Sequence, residues 1–345
     1  MKSQFGDVSV CSVSAVISTY NSPEKLRVAL KSIFNQTRPV DEILVVGDGC
    51  SGPTASEIHR LGATQIRYVN LPFRCGEQAI PNAVGTILSK SKYVAYLNHD
   101  DLWLPRHLEE ALAVLSSEKS PWFLGAAAFS DEITHLNGRP IPIFGTRTDP
   151  NRSVGDAYSK THLALEPASS WVIDRSVVLR AGNWRPAWQM ARTPASELAL
   201  RIMRTNGEPT RGRIVTVAKV VGNRQQENGP HYFHTDGQFT FLEELIDSKG
   251  QDWPHFFSWP DAVSTWRTNE GLGFVSVTAR FERLWRSFSK LNLRLYRLTG
   301  IDGFEYLLRA KVGRGTFLRN ALRRRTGEGE LARHTVASAI RKLGF

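Results

Sequence analysis

Residues 93–103 read Tyr93-Val94-Ala95-Tyr96-Leu97-Asn98-His99-Asp100-Asp101-Leu102-Trp103. The apolar run at the start predicts a buried β-strand, and the adjacent aspartates predict an acidic turn at its end. Carboxylates held at a strand end suit Mg²⁺ or Mn²⁺, which bind oxygen ligands and neutralise the charge of phosphate groups. The residues alone leave a second interpretation open, in which Asp100 caps the following helix and Asp101 faces solvent.

Strands and helices alternate to both sides of this turn. Apolar runs predict strands at residues 8–19, 42–46, 66–69, 93–97, 122–129, 170–173 and 214–221. Apolar residues three and four apart predict helices at residues 24–35, 53–61, 78–89, 106–117 and 196–204. The alternation indicates an α/β fold whose mostly parallel sheet has helices on both faces. Ligands of such sheets bind beyond the carboxyl ends of the strands, where Asp48 and Asp100 both fall.

Three later segments depart from the alternation. Asn137-Gly138 predicts a hairpin tip, and residues 140–160, rich in Pro, Gly, Arg and Asp, predict a long loop. Residues 222–230 are polar and predict a domain boundary. We therefore expect a catalytic domain at residues 1–225 and a helical, basic C-terminal extension at residues 226–345.

The charge of the chain is unevenly distributed. The 345 residues carry a formal net charge of +11, and residues 278–345 contain 16 Lys and Arg against 5 Asp and Glu, so the whole excess lies there. Apolar residues recur in this tail at helical spacing: Phe281, Leu284, Trp285, Phe288, Leu291, Leu295 and Leu298. Such a helix either lies on an anionic membrane surface or packs on the catalytic domain. The tail matches no nucleic-acid recognition motif, so nucleic acid is not an expected partner.

Cysteine content and hydropathy bear on location. The three cysteines, Cys11, Cys50 and Cys75, are odd in number and lack metal-ligand spacing, which argues against a disulfide framework or structural zinc. No run approaches the roughly 18 to 20 apolar residues of a spanning helix. We expect a cytoplasmic protein, with peripheral attachment to the inner face of the membrane as a further option.

Five segments along residues 8–225 resemble, in order, the signatures of family 2 glycosyltransferases. They are Ile17-Ser18-Thr19-Tyr20-Asn21, Asn35-Gln36-Thr37-Arg38-Pro39, Gly47-Asp48-Gly49-Cys50-Ser51, the stretch 76–82, and Leu97 to Pro105. The resemblance implies a GT-A fold and inverting transfer of a sugar from a nucleotide diphosphate-sugar to a hydroxyl acceptor. It further implies a role in cell-surface or lipid-linked glycan assembly.

The resemblance also implies roles for individual residues. Asp48 would accept a hydrogen bond from the base, and Asp100 would hold a divalent cation, Mn²⁺ or Mg²⁺. The nucleotide-sugar pocket would further include Thr19, Tyr20, Asn21, Asn82, Asn98 and His99, where Asn98 would bond a ribose hydroxyl and His99 would approach the diphosphate. Two catalytic carboxylates are expected, Asp101 beside the cation and Glu197 as the base that takes the proton of the acceptor hydroxyl.

Two departures from the family pattern keep another function open. Gly47 and Asn98 stand where the family has aspartates, so the chain could be a catalytically inactive GT-A-fold binding or scaffold protein. Residues 47–52 also match the dinucleotide-binding spacing Gly-x-Gly-x-x-Gly. That loop follows the second strand instead of the first, and no Asp or Glu lies between Glu57 and Glu77 to bind a ribose. A hydride-transfer enzyme is therefore disfavoured.

Overall fold

The computed structural model describes residues 11–136, 139–146, 167–190, 193–220, 242–244, 246–247, 287, 291–303 and 306. Its strands are β1 (Val13–Thr19), β2 (Glu42–Gly47), β3 (Ile66–Asn70), β4 (Tyr93–Asn98), β5 (Asp101–Trp103), β6 (Trp122–Leu136), β7 (Arg139–Thr146), β8 (Trp171–Asp174) and β9 (Thr210–Val220). Its helices are α1 (Pro23–Phe34), α2 (Gly52–Leu61), α3 (Ala79–Leu88), α4 (His107–Ser117), α5 (Arg175–Arg180) and α6 (Pro194–Asn206). Residues 291–299 are also helical.

The described strands form a single sheet. Its order is β3-β2-β1-β4-β8-β6-β9-β5, with β7 paired to β6. The strands β1 to β4 pair in parallel, and β6 and β9 do as well, whereas β8, β5 and β7 are antiparallel to their neighbours. The predicted mostly parallel α/β sheet is confirmed, with antiparallel strands added in its second half.

Two hydrophobic layers cover the sheet, one on each face. All seven residues of β1 are buried, as expected of a strand enclosed on both sides. Val16 faces the layer that contains α3, α5 and α6, and its neighbours Ala15 and Ile17 face the layer that contains α1, α2 and α4. Gly85 allows α3 to lie against β1, because a Cβ at this position would overlap the Val16 side chain. Helices therefore lie on both faces, as the sequence predicted.

The segment after residue 129 differs from the prediction. β6 continues to Leu136 and pairs with β7, so residues 140–146 form a strand instead of part of a loop. The backbone positions Leu136 and Arg139 pair directly, which agrees with the predicted hairpin tip. Pro140 and Pro142 misled the loop prediction. They occupy alternate positions of a strand that pairs with β6 alone among the described strands, and proline is compatible with such an edge position.

Described pieces beyond residue 226 pack on the catalytic core. Leu242 and Ile246 are buried in a cluster with residues of α1 and β5. Lys31 of α1 forms ion pairs with Glu243 (2.8 Å) and Asp247 (3.0 Å). In the 291–299 helix, Leu293 and Tyr296 are buried against the layer that contains α6. The division at residue 226 stays a prediction.

None of the helices within the described ranges combines the length and the apolar character that crossing a bilayer requires.

Candidate functional site

The carboxyl ends of the first four strands meet at one edge of the sheet. Thr19 of β1 pairs with Gly47 of β2, Gly47 pairs with Asn70 of β3, and Ser18 pairs with Asn98 of β4. The segments after these strands therefore start side by side, which brings the predicted nucleotide-pocket residues of all four segments to a common edge. The parallel order of the strands had predicted that Asp48 and Asp100 would both lie beyond this edge.

Asp48 is buried at the centre of this edge. Its N–H donates to the Thr19 carbonyl (2.8 Å), and its carboxylate accepts from the N–H groups of Cys75 (2.6 Å) and Gly76 (2.8 Å). Burial raises the pKa of Asp48, and the two amide donors oppose that rise. The carboxylate ties the β3–α3 segment to the end of β2. A bond to a nucleobase, as predicted, would use lone pairs that these amides leave over.

The loop after β2 has one conformation that only glycine adopts readily. Gly49 has φ +68°, and a Cβ there would lie 2.7 Å from the carbonyl carbon of Phe73. The Asn70 side chain fixes the next residue, because its Oδ1 accepts from the Cys50 N–H (2.8 Å) and its Nδ2 donates to the Cys50 carbonyl (2.9 Å). The loop is therefore packed directly against the segment that follows β3.

Tyr20 and Asn21 form the turn after β1. Asn21 has φ 41°, and its Oδ1 accepts from the N–H (2.7 Å) and the hydroxyl (2.9 Å) of Ser51. The guanidinium carbon of Arg74 lies 4.0 Å from the centre of the Tyr20 ring. An aromatic ring and a guanidinium held together offer a stacking surface for a base and a positive charge for phosphate. Arg74 was not among the residues predicted from the sequence.

Two predicted pocket residues carry buried atoms with unused hydrogen-bonding capacity. Thr19 Oγ1 and Asn82 Oδ1 have no hydrogen-bond partner within the described part of the chain. Glu77, just before α3, accepts from the Ala79 N–H (2.6 Å) through Oε2, whereas its Oε1 is a further buried atom in this group. Burial raises the pKa of Glu77 to about 8. Leaving a buried polar atom without a hydrogen-bond partner costs free energy, and a polar ligand at this edge would supply the missing partners.

The acidic turn itself separates its two aspartates. Asp101 begins β5 and is fully buried, where its carboxylate accepts from Lys219 Nζ (2.9 and 3.2 Å), Asn98 Nδ2 (3.2 Å) and the Ser169 hydroxyl. Burial raises the pKa of Asp101, and the positive charge of Lys219 is the main opposing influence. These buried contacts connect the turn to the neighbouring parts of the fold, which is a structural role. The predicted direct role of Asp101 in catalysis stays a prediction.

Asp100 and His99 lie between β4 and β5 and are partly exposed. The His99 N–H donates to the Ser18 carbonyl (3.3 Å), and its Nδ1 lies 3.2 Å from the same oxygen. Asp100 is close enough to Asp101 for its charge to contribute to the raised pKa of Asp101. No cluster of three or more His, Cys, Asp or Glu side chains suited to a metal occurs in the described ranges. Asp100 offers a single partly exposed carboxylate on this turn, and its predicted role as the cation ligand stays a prediction.

Glu197 lies in the first turn of α6, where Thr193 caps the helix. Its Oε1 accepts from Arg201 Nε (2.8 Å) and Arg185 Nη1 (3.2 Å), and its Oε2 accepts from Arg201 Nη2 (2.7 Å). Its charge contributes to the raised pKa of Tyr296 in the 291–299 helix, although burial is the larger cause. The predicted base is therefore an ion-paired carboxylate at the junction of α6 and the C-terminal helix.

A match to a known family covers much of the region that builds this edge. Residues 14–180, from β1 through α5, match the family described as Glycosyl transferase family 2. Residues 14–180, just under half of the chain, are therefore of family 2 glycosyltransferase type. The fold and the family implied by the sequence motifs are thus confirmed, and the conclusion rests on the region that contains Asp48 and Asp100.

Individual relatives of this chain agree with the family match. An uncharacterised glycosyltransferase of Methanocaldococcus jannaschii, MJ1057, is 29% identical over 161 residues, which are 45% of this chain and 54% of the relative. The poly(ribitol-phosphate) β-N-acetylglucosaminyltransferase TarP of Staphylococcus aureus is 32% identical over 134 residues, 38% of this chain and 39% of TarP. The chain thus spans about half or less of the length of these curated relatives.

The chain also resembles a solved structure. Residues 1–349 of TarS from S. aureus, crystallised with UDP-GlcNAc, align with a TM-score of 0.51 and 14% identity, covering 90% of this chain and 79% of that one. At this identity the likeness establishes the fold, which is the GT-A architecture that the motifs implied.

Several residues of the candidate site could not be found from the sequence alone. Lys219 and Ser169 lie far along the chain from the acidic turn and reach it through β9 and the short 3-10 helix Ala168–Ser170 before β8. Neither belongs to a motif, and the residues around Lys219 give no indication that it pairs with Asp101. Arg74 and Glu77 flank the segment 75–76, whose importance appears only when Asp48 is seen to bind its amides.

Proposed function

We propose that this chain transfers a sugar from a nucleotide diphosphate-sugar to a hydroxyl acceptor, with inversion at the anomeric carbon. The observation that carries the proposal is the convergence of Thr19, Tyr20, Asp48, Asn82 and Asp100 around one strand edge, in the order typical of the family. Thr19 and Asn82 each add a buried side-chain oxygen that lacks a partner within the described residues and is available to a polar ligand.

The donor's nucleoside is expected between the turns after β1 and β2. Tyr20 offers its ring to the base, Asp48 offers the remaining lone pairs of its carboxylate, and Arg74 places a positive charge beside both. TarP is named as an N-acetylglucosaminyltransferase, and the TarS crystals contain UDP-GlcNAc. UDP is therefore the first nucleotide to test, and GDP is the comparison.

A divalent cation is proposed to bind with the donor. Asp100 would hold it, with Asn98 and His99 on the same turn, and the remaining ligands would be diphosphate oxygens and water. Such a cation neutralises the charge that develops on the leaving nucleoside diphosphate. The protein's own contribution is to fix the turn that carries Asp100, through the backbone bond of His99 to β1 and through the burial of Asp101.

Glu197 is proposed to accept the proton of the attacking hydroxyl. Inversion requires a base on the face of the sugar opposite the leaving group, so the base belongs to a different element from the one that carries Asp100. The two arginines fix the orientation of the Glu197 carboxylate, and Arg185 is about half exposed, which leaves one side of the ion pair open to an acceptor.

The acceptor is proposed to be part of a surface or lipid-linked glycan, assembled at an anionic membrane. The 291–299 helix is fixed to the core by Leu293 and Tyr296, whereas Leu291, Leu295 and Leu298 on it are exposed, as are Ile301 and Tyr306 beyond it. An apolar cavity of about 250 Å³ lies among several of these residues. Exposed leucines in a tail with a large basic excess are typical of segments that bind anionic lipid.

Calorimetric titration of the full chain with UDP and GDP, each with and without Mn²⁺, tests the proposed function. We expect one nucleotide to bind, with higher affinity when Mn²⁺ is present. A panel of nucleotide sugars, assayed for slow donor hydrolysis, would then identify the sugar. If neither UDP, GDP nor any other nucleoside diphosphate binds under any condition, the enzyme proposal is wrong and the scaffold interpretation replaces it.

A further inference from the structure

The carboxylate of Asp101 is the centre of a buried network at the acidic turn. It is fully buried, and Lys219 at the end of β9 is within 2.9 and 3.2 Å of its two oxygens. Asn98 Nδ2 donates to Asp101 Oδ2 (3.2 Å), and the Ser169 hydroxyl donates to the same oxygen. Ser169 Oγ also accepts from the backbone N–H of Asn98 (3.1 Å). Four elements of the fold therefore meet at one carboxylate.

The network sets the orientation of the Asn98 side chain. Because Nδ2 is bound to Asp101, Oδ1 points the other way, and it lies 3.4 Å from the Ser18 hydroxyl at the end of β1. An aspartate at position 98 could not donate this bond and would set a second negative charge about as near to the carboxylate of Asp101. Asn98 is thus matched to Asp101, whose charge in turn requires a cation such as Lys219.

We propose that Lys219 is a positioning residue of the cation and diphosphate subsite, acting through Asp101 on Asn98 and on the turn that carries Asp100. The proposal rests on the proposed function, since it assigns how that same site is held. It also accounts for the missing aspartate at position 98, because the amide of Asn98 is part of the support of the turn. Lys219 itself does not touch the nucleotide in this arrangement.

Two variants separate indirect positioning from direct contact with the ligand. In Lys219→Met, the buried Asp101 loses its cation, so we expect Mn²⁺-dependent binding of UDP to weaken about tenfold or more. In the double variant Lys219→Met/Asp101→Asn, the new amide is neutral and still accepts from Asn98 and Ser169, so we expect most of that affinity to return. Direct contact between Lys219 and the ligand would instead leave both variants equally weak.

A second pair of variants tests the match between positions 98 and 101. Asn98→Asp alone, which restores the family's carboxylate, should weaken Mn²⁺-dependent binding instead of strengthening it. Asn98→Asp/Asp101→Asn exchanges the two groups and should recover binding. An increase in Mn²⁺ affinity for the single Asn98→Asp variant would overturn the proposal, as would a double Lys219 variant that stays as weak as Lys219→Met.

A measurement without nucleotide keeps this inference separate from the proposed function. In protein labelled with ¹⁵N-asparagine, the side-chain amide resonances of Asn98 are identified by their loss in Asn98→Asp. We expect them to shift in Lys219→Met and to return towards their original position in the double variant with Asp101→Asn. Unchanged resonances in Lys219→Met would contradict the positioning role even if the wild-type chain bound no nucleotide. Far-ultraviolet circular dichroism confirms that each variant is folded.

Discussion

Glu197 and Arg201 are joined by two parallel hydrogen bonds across one turn of α6, from Nε to Oε1 (2.8 Å) and from Nη2 to Oε2 (2.7 Å). Arg201 also donates to the carbonyls of Ala181 and Asn183, which connects α6 to the segment after α5. Glu197 therefore has two roles that experiments can separate. It supports the packing of α6, and it is the proposed base.

Glu197→Gln tests the proposed base. We expect kcat to fall by roughly 10² to 10⁴-fold while KM for the donor changes little, because the amide keeps the shape of the side chain but cannot take a proton. Arg201→Met is the matched control, since it breaks the same ion pair and keeps the carboxylate. Both variants should lose about 1–3 kcal/mol of unfolding free energy. A kcat in Glu197→Gln within a few-fold of that of wild type would show that Glu197 is not the base.

Asp100→Asn tests the proposed cation ligand. Removing the charge should weaken Mn²⁺-dependent binding of UDP or GDP by about tenfold or more, whereas binding without metal should be nearly unchanged. Thermal stability should also be nearly unchanged, because Asp100 is partly exposed. Asp247→Asn, which alters an exposed carboxylate paired with Lys31, is the control and should leave both affinities as they are. Retained metal dependence in Asp100→Asn would place the cation elsewhere.

The sequence predicted the first half of the fold better than the site. Strands β1 to β4 and their helices have strong periodic patterns, and their parallel order alone brings Asp48 and Asp100 to one edge. The sequence could not show that the Asp48 carboxylate binds the amides of Cys75 and Gly76, or that Lys219 compensates the charge of Asp101. Both contacts join residues far apart in the chain, and their partners are a backbone group and an isolated lysine that no local pattern marks.

The lowered pKa of the buried His107 imidazole predicts how the stability of the protein depends on pH. It is fully buried, its Nδ1 lies 3.0 Å from the Thr216 hydroxyl, and burial lowers its pKa to about 3. In the unfolded chain histidine titrates near pH 6.5, so between about pH 6.5 and 3 the unfolded state binds the extra proton. The folded state should therefore lose up to about 1.4 kcal/mol per pH unit from this group as the pH falls through that range.

His107→Gln isolates the contribution of this group. The variant should be less stable than wild type at pH 7, because the packing of the imidazole against Trp103 is lost. The difference should narrow steadily between pH 6 and pH 4 in urea unfolding experiments. A difference that stays constant over this range would show that His107 is protonated in the folded protein.

The exposed leucines of the 291–299 helix provide the test of membrane attachment. Leu298 is 81% exposed and Leu295 47%, whereas Leu293 on the other side of the helix is buried. Leu295→Ser/Leu298→Ser should reduce binding to vesicles that contain phosphatidylglycerol by about tenfold or more, since each leucine contributes roughly 1.5–3 kcal/mol when fully buried. Unfolding free energy and binding of UDP should be unchanged.

Two controls identify what the exposed leucines of the 291–299 helix contact. Vesicles of phosphatidylcholine alone should bind weakly, because the basic excess of the tail needs anionic lipid. Sedimentation of the wild-type chain without vesicles would reveal a second copy as the occupant, through dimers that the double serine variant lacks. If anionic vesicles retain wild type and the serine variant equally, the leucines do not contact lipid, and the basic residues of the tail must account for binding by charge alone.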